Sequence, residues 1–428
     1  MSNSVGNQQA IDLPGREPTL VDRFARSAAL KVLGRLYRDQ LTWRDGEELT
    51  LGPGDGLHAS VSVHHPEFYR QAMLGASVGL GEAWMDGHWD CDDLTAFLRI
   101  MIRNEDIWLG VERGPARLTL PARRLFHWLR RNTRTGSRKN IAAHYDLGND
   151  LFETFLDETM AYSAAVFRDP AMSLHDAQVA KFDLVCSSLK LNESHHLLEI
   201  GTGWGGLALH AARTTGCRVT TTTISQEQFE RAQRLVQEAG LQDLITVLKQ
   251  DYRDLTGQFD RLVSIEMIEA VGHSHHETFF KVCQERLKDD GLMLLQTITM
   301  RDQAYEEAVG SVDFIKRYIF PGGCLPSVNH MSNVMNKVTD FQVLALNDIG
   351  LDYALTLRHW RERFAANLDK VRALGYDERF IRMWWFYFCY CEAGFLERFV
   401  SDVQITLGRR GCRQRPLVAA ADKESGPW

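Results

Sequence analysis

The stretch Leu197–Gly206, LLEIGTGWGG, sets an acid, Glu199, ahead of four glycines (Gly201, Gly203, Gly205 and Gly206) around Trp204. A short apolar strand that runs into closely spaced glycines and then a helix, LALHAAR, brings bare backbone amides up to a ligand. Side chains at those positions would block the approach. Two ligands suit this pattern, a dinucleotide and S-adenosylmethionine. As letters, Gly201-x-Gly203-x-x-Gly206 fits the dinucleotide fingerprint. That fingerprint expects an acid about 20 residues on, at the end of the second strand, to hold the ribose. Here the second strand, RVTTTTIS, ends in Thr223, Ile224 and Ser225, with no acid before Glu227. The acid that is present precedes the glycines, so the pattern reads as an S-adenosylmethionine methyltransferase core.

Strand ends must hold such residues. From residue 196 the sequence alternates apolar strands (LLEIG, VTTTTIS, ITVLKQD, FDRLVSIE, GLMLLQTITM) with helices such as SQEQFERAQRLVQEAG and HHETFFKVCQERLKDD. That alternation predicts an α/β fold, a doubly wound and mostly parallel sheet with helices on both faces. Ligands in such sheets bind beyond the carboxyl ends of the strands. Gly201–Gly205, Thr223–Gln228, Asp251–Tyr252, Glu266–Glu269 and Gln296–Thr299 all fall at such ends. The expected organisation is a disordered lead (1–20), a smaller α+β N-terminal domain (21–105), a basic linker (106–139), a catalytic domain (140–410) and a flexible tail (411–428).

The 428 residues carry a net charge of −7, with 44 % hydrophobic and 25 % charged residues, ordinary for a globular protein. No apolar run reaches the ~18 residues of a membrane span. The polar N-terminus lacks an apolar signal core, which predicts a cytoplasmic location. Eight scattered cysteines without a CxxC pair predict reduced thiols and no metal site. Charge is uneven. From Arg113 to Lys139 there are nine basic residues and no acid, interrupted by Leu125, Phe126, Trp128 and Leu129. Cations mixed with Trp, Phe and Leu suit an anionic lipid surface, the other reading being a solvated linker. Nucleic acid is not an expected partner, since the chain is acidic and carries no nucleic-acid module.

Seven stretches across residues 75–400 resemble the cyclopropane-fatty-acyl-phospholipid synthase family, which includes the mycolic acid cyclopropane synthases. They are GLGEAWMDGHWDCDDL, HYDLGNDLFETFLDETMAYSAAVF, LEIGTGWGGLA, TISQEQ, QDYRDLTGQFDRLVSIEMIEAVG, KRYIFPGGCLPS and DYALTLRHWRERF. HYDLGNDLF and YIFPGGCLPS are specific to the group. The resemblance implies a seven-stranded Rossmann-like sheet. It also implies transfer of a methylene from S-adenosylmethionine to the cis double bond of an acyl chain in membrane phospholipid, giving a cyclopropane. Peripheral association with the inner face of the membrane and a homodimer are implied with it. A methyl- or methylene-branched product is the alternative within the same chemistry, and a catalytically decayed lipid-binding protein the alternative outside it.

By the same resemblance the cofactor site comprises Tyr162, Ser163, Glu199, Gly201, Thr202, Gly203, Gly205, Thr223, Ile224, Gln228, Tyr252 and Ile265. A bicarbonate-type anion is held by Glu269, Tyr353 and the backbone at Ala164 and Ile298, and it removes the proton that ring closure releases. Three departures bear on that anion. Ala164 stands where the family has cysteine, Gln296 where it has histidine, and Ala270 where it has another histidine. Glutamine bonds an anion but does not titrate. Glu266, three residues before Glu269, adds a second carboxylate. These changes predict weak dependence on bicarbonate, with a protein carboxylate sharing proton removal. Catalytic candidates are therefore Glu269, Tyr353, Gln296, Glu266 and Cys391. The last matches a family thiol, but it lies on an aromatic helix where a structural role is expected.

Overall fold

The computed structural model describes residues 17–107 and 148–415. The basic run from Arg113 to Lys139 lies outside the described residues, as do residues 1–16 of the expected lead and 416–428 of the expected tail. Two compact units are present, and they do not follow chain order. Residues 310–321 and 360–399 group with the N-terminal residues, while 322–359 and 400–415 group with 148–309. The division at 105 and 140 read from the sequence does not contain this exchange of segments.

The first unit has a four-stranded sheet of β1 (Gln40–Arg44), β2 (Glu48–Leu51), β3 (His58–Val63) and β4 (Trp89–Cys91), in the order β2-β1-β3-β4. Leu41 and Trp43 alternate with half-exposed neighbours on β1, so one face is buried. The helix Glu67–Met85 is broken at Ala76, whose φ is 47°. Trp43, Trp84 and Trp89 are buried with Phe68 and Phe97. The helix Glu378–Leu396 is capped by Asp377, which accepts from Phe380 N–H at 2.8 Å. Its run Trp384–Phe388 is buried throughout. Arg361 and Glu392 form a buried ion pair at 2.9 Å, of the kind that costs about 3–5 kcal/mol when one partner is removed.

The second unit carries seven strands: β5 (His196–Ile200), β6 (Arg218–Thr223), β7 (Ile245–Lys249), β8 (Phe259–Ile265), β9 (Leu287–Met300), β10 (Gln342–Asp348) and β11 (Val400–Gly408). Their order is β10-β11-β9-β8-β5-β6-β7. All pairings are parallel except those of β11, which runs antiparallel between β9 and β10. The apolar runs explain the central strands. Leu198, Leu262, Met293 and Leu295 enter one core cluster, while their chain neighbours Leu197, Val263, Leu292 and Leu294 enter the other. Alternation of side chains across the strand makes an unbroken apolar run serve both faces. The chain winds outward from β5 through β6 to β7, then returns to β8 on the other side. β5 and β8 are therefore the pair at which strand order reverses, where α/β sheets hold ligands.

Candidate active site

At the carboxyl end of β5, Gly201, Gly203 and Gly205 have φ of 102°, 52° and 94°. Both the Gly201 and Thr202 amides donate to the Thr222 carbonyl, at 3.1 and 3.0 Å, which hooks the loop onto β6. The Thr202 and Thr221 hydroxyls meet at 2.7 Å. A Cβ at Gly206 would lie 2.7 Å from the Thr159 carbonyl, so that glycine serves packing. A Cβ at Gly203 would meet nothing within 4 Å. The left-handed backbone there leaves an open space beside the loop, as a bound ligand requires. A Cβ at Gly201 would reach the Met267 side chain at 3.3 Å. The loop is thus in touch with the turn that follows β8.

Residues after β6 and β7 complete this end of the sheet. Ser225 caps the helix Gln226–Glu238, accepting from Gln228 N–H at 3.3 Å. That fixes Gln228, whose side-chain oxygen accepts from the Thr223 hydroxyl at 2.8 Å. Gln228 is buried, and Ile224 beside it is half-buried. Tyr252 meets Phe279 edge-on at 5.7 Å, and its hydroxyl is sealed from solvent with no partner among the described residues. Tyr162 packs edge-on to Phe152 at 5.3 Å. Glu199 is buried, one of its oxygens likewise lacks a partner among the described residues, and burial raises its pKa to about 8. Orphaned buried polar atoms are rare and call for a ligand or water. The orphaned Glu199 oxygen, two residues before the open glycine loop, fits a polar cofactor.

After β8 the chain makes a sharp turn. Glu266 has φ of 47°, and its N–H donates to the Gln296 carbonyl at 2.8 Å. Its carboxylate accepts from Ala164 N–H and the Gln296 amide, both at 2.8 Å to Oε1. The Tyr353 hydroxyl donates to Oε2 at 2.8 Å. Glu269 is held separately. Its Oε1 accepts from Ile298 N–H at 2.6 Å and the Thr297 hydroxyl at 2.7 Å. Its Oε2 is buried without a partner among the described residues. Burial and then the Glu266 charge push the Glu269 pKa up to about 8. Ile265, the last residue of β8, pairs with Gln296 on β9.

A model of the family described as mycolic acid cyclopropane synthetase matches residues 132–405. The chain belongs to that family. Among its relatives, the tuberculostearic acid methyltransferase UfaA1 of Mycobacterium tuberculosis is 36 % identical over 411 residues, covering 90 % of this chain and 92 % of the relative. The cyclopropane-fatty-acyl-phospholipid synthase of Escherichia coli K12 is 38 % identical over 383 residues, covering 87 % and 94 %. A crystal structure of the mycolic acid cyclopropane synthase CmaA1 with SAH and CTAB superposes with a TM-score of 0.59 at 32 % identity. It covers 64 % of this chain and 98 % of that one. The seven-stranded, mostly parallel sheet expected from the sequence is the fold of this family, and the chain is an enzyme of the family's type.

Gly201–Gly205, Thr223, Gln228, Tyr252, Glu266, Glu269, Gln296, Ile298 and Tyr353 all belong to the second unit. Cys391 belongs to the first, on the helix Glu378–Leu396, and burial pushes its thiol pKa far up, away from the thiolate a nucleophile needs. Two residues were not read from the sequence. Lys181 is buried, and its ammonium donates to the Ser163 hydroxyl at 2.6 Å. Burial lowers its pKa to about 8 against the pull of Glu266, Asp157, Asp402 and Glu199. Asp402 on β11 is buried and accepts from the Gln296 amide at 3.2 Å. Burial, then the neighbouring Glu266, raises its pKa well above the carboxylate range. A buried lysine in the helix Leu174–Ser188, which has no clear apolar stripe, carries no local signal, and Asp402 depends on a pairing between distant strands.

Proposed function

We propose that this chain transfers the one-carbon unit of S-adenosylmethionine to a cis double bond in an acyl chain of membrane phospholipid and closes it to a cyclopropane. The observation that carries this reading is the contact between the two halves of the site. The glycine loop after β5 lies against Met267, between the carboxylates Glu266 and Glu269. When bound, S-adenosylmethionine supplies an electrophilic methyl, and its transfer to an alkene leaves positive charge on the acyl chain. The chain's own residues then do three things. The bare loop amides and Gln228 orient the cofactor, Tyr252 closes over it, and the two carboxylates face the charge that develops. Orientation matters most, because an alkene is a weak nucleophile.

A second reading is a methyl- or methylene-branched product, favoured by the relative named as a tuberculostearic acid methyltransferase. Expression in a bacterial host lacking such an enzyme tests both. Ring and methylene branch have equal mass, so proton NMR of the total fatty acids must separate them. Cyclopropane signals are expected; branched acids alone would replace the first reading by the second. Unchanged lipids, with the protein soluble and intact, would remove both.

The same reading places the enzyme on the inner face of the cytoplasmic membrane as a homodimer. No described helix is long and apolar enough to cross a membrane. The basic run 113–139 supports surface docking on anionic lipid. Replacing Arg123, Arg124, Arg130 and Arg131 by Gln is expected to weaken binding to anionic liposomes. Salt should weaken binding of the unaltered chain too, since exposed charges are screened over ~10 Å at 0.1 M. Salt-insensitive sedimentation with liposomes would reduce the segment to a linker, and sedimentation equilibrium tests the dimer.

A further inference from the structure

We propose that the Glu266 carboxylate is a tethered anion that fills the seat of an exchangeable one and itself takes the proton the reaction releases. The proposal rests on the alkylation reading above. Its evidence is where the anion-binding donors point. The family resemblance gives Ala164, Tyr353 and Ile298, with Glu269, to a free bicarbonate-type ion. Two of these, the Ala164 N–H and the Tyr353 hydroxyl, donate to Glu266, each at 2.8 Å. The Gln296 amide adds a third bond, also at 2.8 Å. Ile298 N–H and the Thr297 hydroxyl go to Glu269. Every one of these donors is spent on a protein carboxylate.

A carboxylate offers the same planar, singly charged O–C–O edge as bicarbonate. It accepts at about four positions: two bonds go to Oε1 and one to Oε2, and the neighbouring Asp402 carboxyl is hydrogen-bonded to the same group. The donors sit deep, with Ala164 and Gln296 fully buried and Tyr353 5 % exposed. Glu266 itself is half-buried, less enclosed than its donors. Gln296 is locked in the sense this needs. Its side-chain oxygen accepts from the Gln404 amide at 2.9 Å, which turns its NH₂ toward Glu266. An amide there holds the carboxylate without handing it a proton. Glu266 also occupies the left-handed backbone region, which a non-glycine side chain rarely adopts and which clusters at functional sites. Lys181, bonded to Ser163, lies within electrostatic reach of Glu266, although burial lowers its pKa to about 8.

The step balances as follows. The alkene π pair forms the new carbon–carbon bond, and the carbon–sulfur bond breaks with its pair going to sulfur. Glu266 takes a proton from the added carbon. The C–H pair left behind closes the ring onto the cationic carbon. For a methylene-branched product a 1,2-hydride shift first moves the cation to the carbon that bears the new methyl. Glu266 then takes a proton from that methyl, and the C–H pair forms the methylene double bond. For a methyl-branched alkene the proton comes from the neighbouring chain carbon and its pair forms the alkene. In each case the proton ends on Glu266.

Turnover on vesicles of cis-unsaturated phospholipid, in carbonate-depleted buffer with and without bicarbonate, tests this. Three forms are compared: wild type, Glu266→Gly, whose backbone suits the positive φ, and the isosteric Glu266→Gln. The wild-type rate is expected to be unchanged by bicarbonate. Both variants should bind S-adenosylmethionine normally and lose about 10²–10⁴-fold in rate. Glu266→Gly, with its donors facing a carboxylate-sized gap, should recover with bicarbonate or formate, while Glu266→Gln should not. Activation of the wild type by bicarbonate, a near-normal rate in Glu266→Gln, or loss without rescue in a folded Glu266→Gly would each overturn the proposal. Absence of any wild-type turnover would instead strike the alkylation reading itself. If Glu266→Gly does not fold, bicarbonate dependence of the wild type and the rate of Glu266→Gln still decide.

Discussion

Gly203→Val is expected to abolish binding of S-adenosylmethionine while the chain still folds. The glycine sits at φ 52°, and a Cβ added there meets nothing within 4 Å. The folding cost is therefore backbone strain alone, roughly 1–2 kcal/mol for a residue forced into the left-handed region. The binding cost is far larger, because the valine occupies the space where loop amides meet the ligand. Calorimetry should show no heat of binding, and circular dichroism should show a cooperative melt close to that of the wild type. Gly206→Ala is the contrast. Its Cβ would press on the Thr159 carbonyl at 2.7 Å, so the melt itself should shift. Normal affinity in Gly203→Val would remove the loop from the cofactor site.

The second large effect is expected at Glu269. Glu269→Gln should lower turnover by about 10²-fold or more with cofactor affinity unchanged. One oxygen of Glu269 is anchored by Thr297 and Ile298, and the other is buried without a partner among the described residues. That second oxygen is free to face the cation that forms on the acyl chain. Its pKa of about 8 makes the carboxyl largely neutral in the resting enzyme below that pH. Ionisation is what stabilises the cation, so kcat/KM should rise with pH and level off near 8, and the rise should vanish in Glu269→Gln. Stability runs the opposite way. The folded carboxyl keeps a proton that the unfolded chain releases from its ordinary value of 4.5. Folding is therefore favoured at low pH and loses ground as pH climbs from about 4.5 to 8. Glu199 adds to the same trend. A pH–rate profile that keeps its rising limb in Glu269→Gln would assign that limb to another group.

How much of this was legible in the sequence depended on distance along the chain. The glycine loop and the five strands β5 to β9 carry local signals, an apolar run followed by turn residues. β11 gives no such warning of its place. VSDVQITLG reads as a strand anywhere, but its pairing with β9, which sets Gln404 opposite Gln296 and Asp402 opposite Ile298, joins segments about a hundred residues apart. β10 is weaker still, with Val343 and Leu346 exposed at the sheet rim. For the carboxylates, the sequence showed two acids three residues apart, and proximity suggested a shared site. The fold separates their partners. Glu266 draws its donors from residues 164, 296 and 353, and Glu269 from 297 and 298. No local pattern encodes that division, since it is set by which strand ends the sheet brings together.

The placement of β11 also fixes an order of events at the ribosome. It is the last described strand to be synthesised, yet it lies inside the sheet, between β9 and β10. Until Val400–Gly408 emerges, β10 cannot dock. The nascent chain meanwhile presents the edge of β9 unpaired, a template for the wrong strand. The cofactor loop and its supporting strands β5 to β8 can be in place by then, but Gln404, which orients Gln296, arrives only with β11. Newly made protein therefore acquires a place for the methyl donor before it acquires a correctly aimed base. A chain stopped short of Val400 would be a half-site with a sticky rim, which gives protein quality control a reason to remove it.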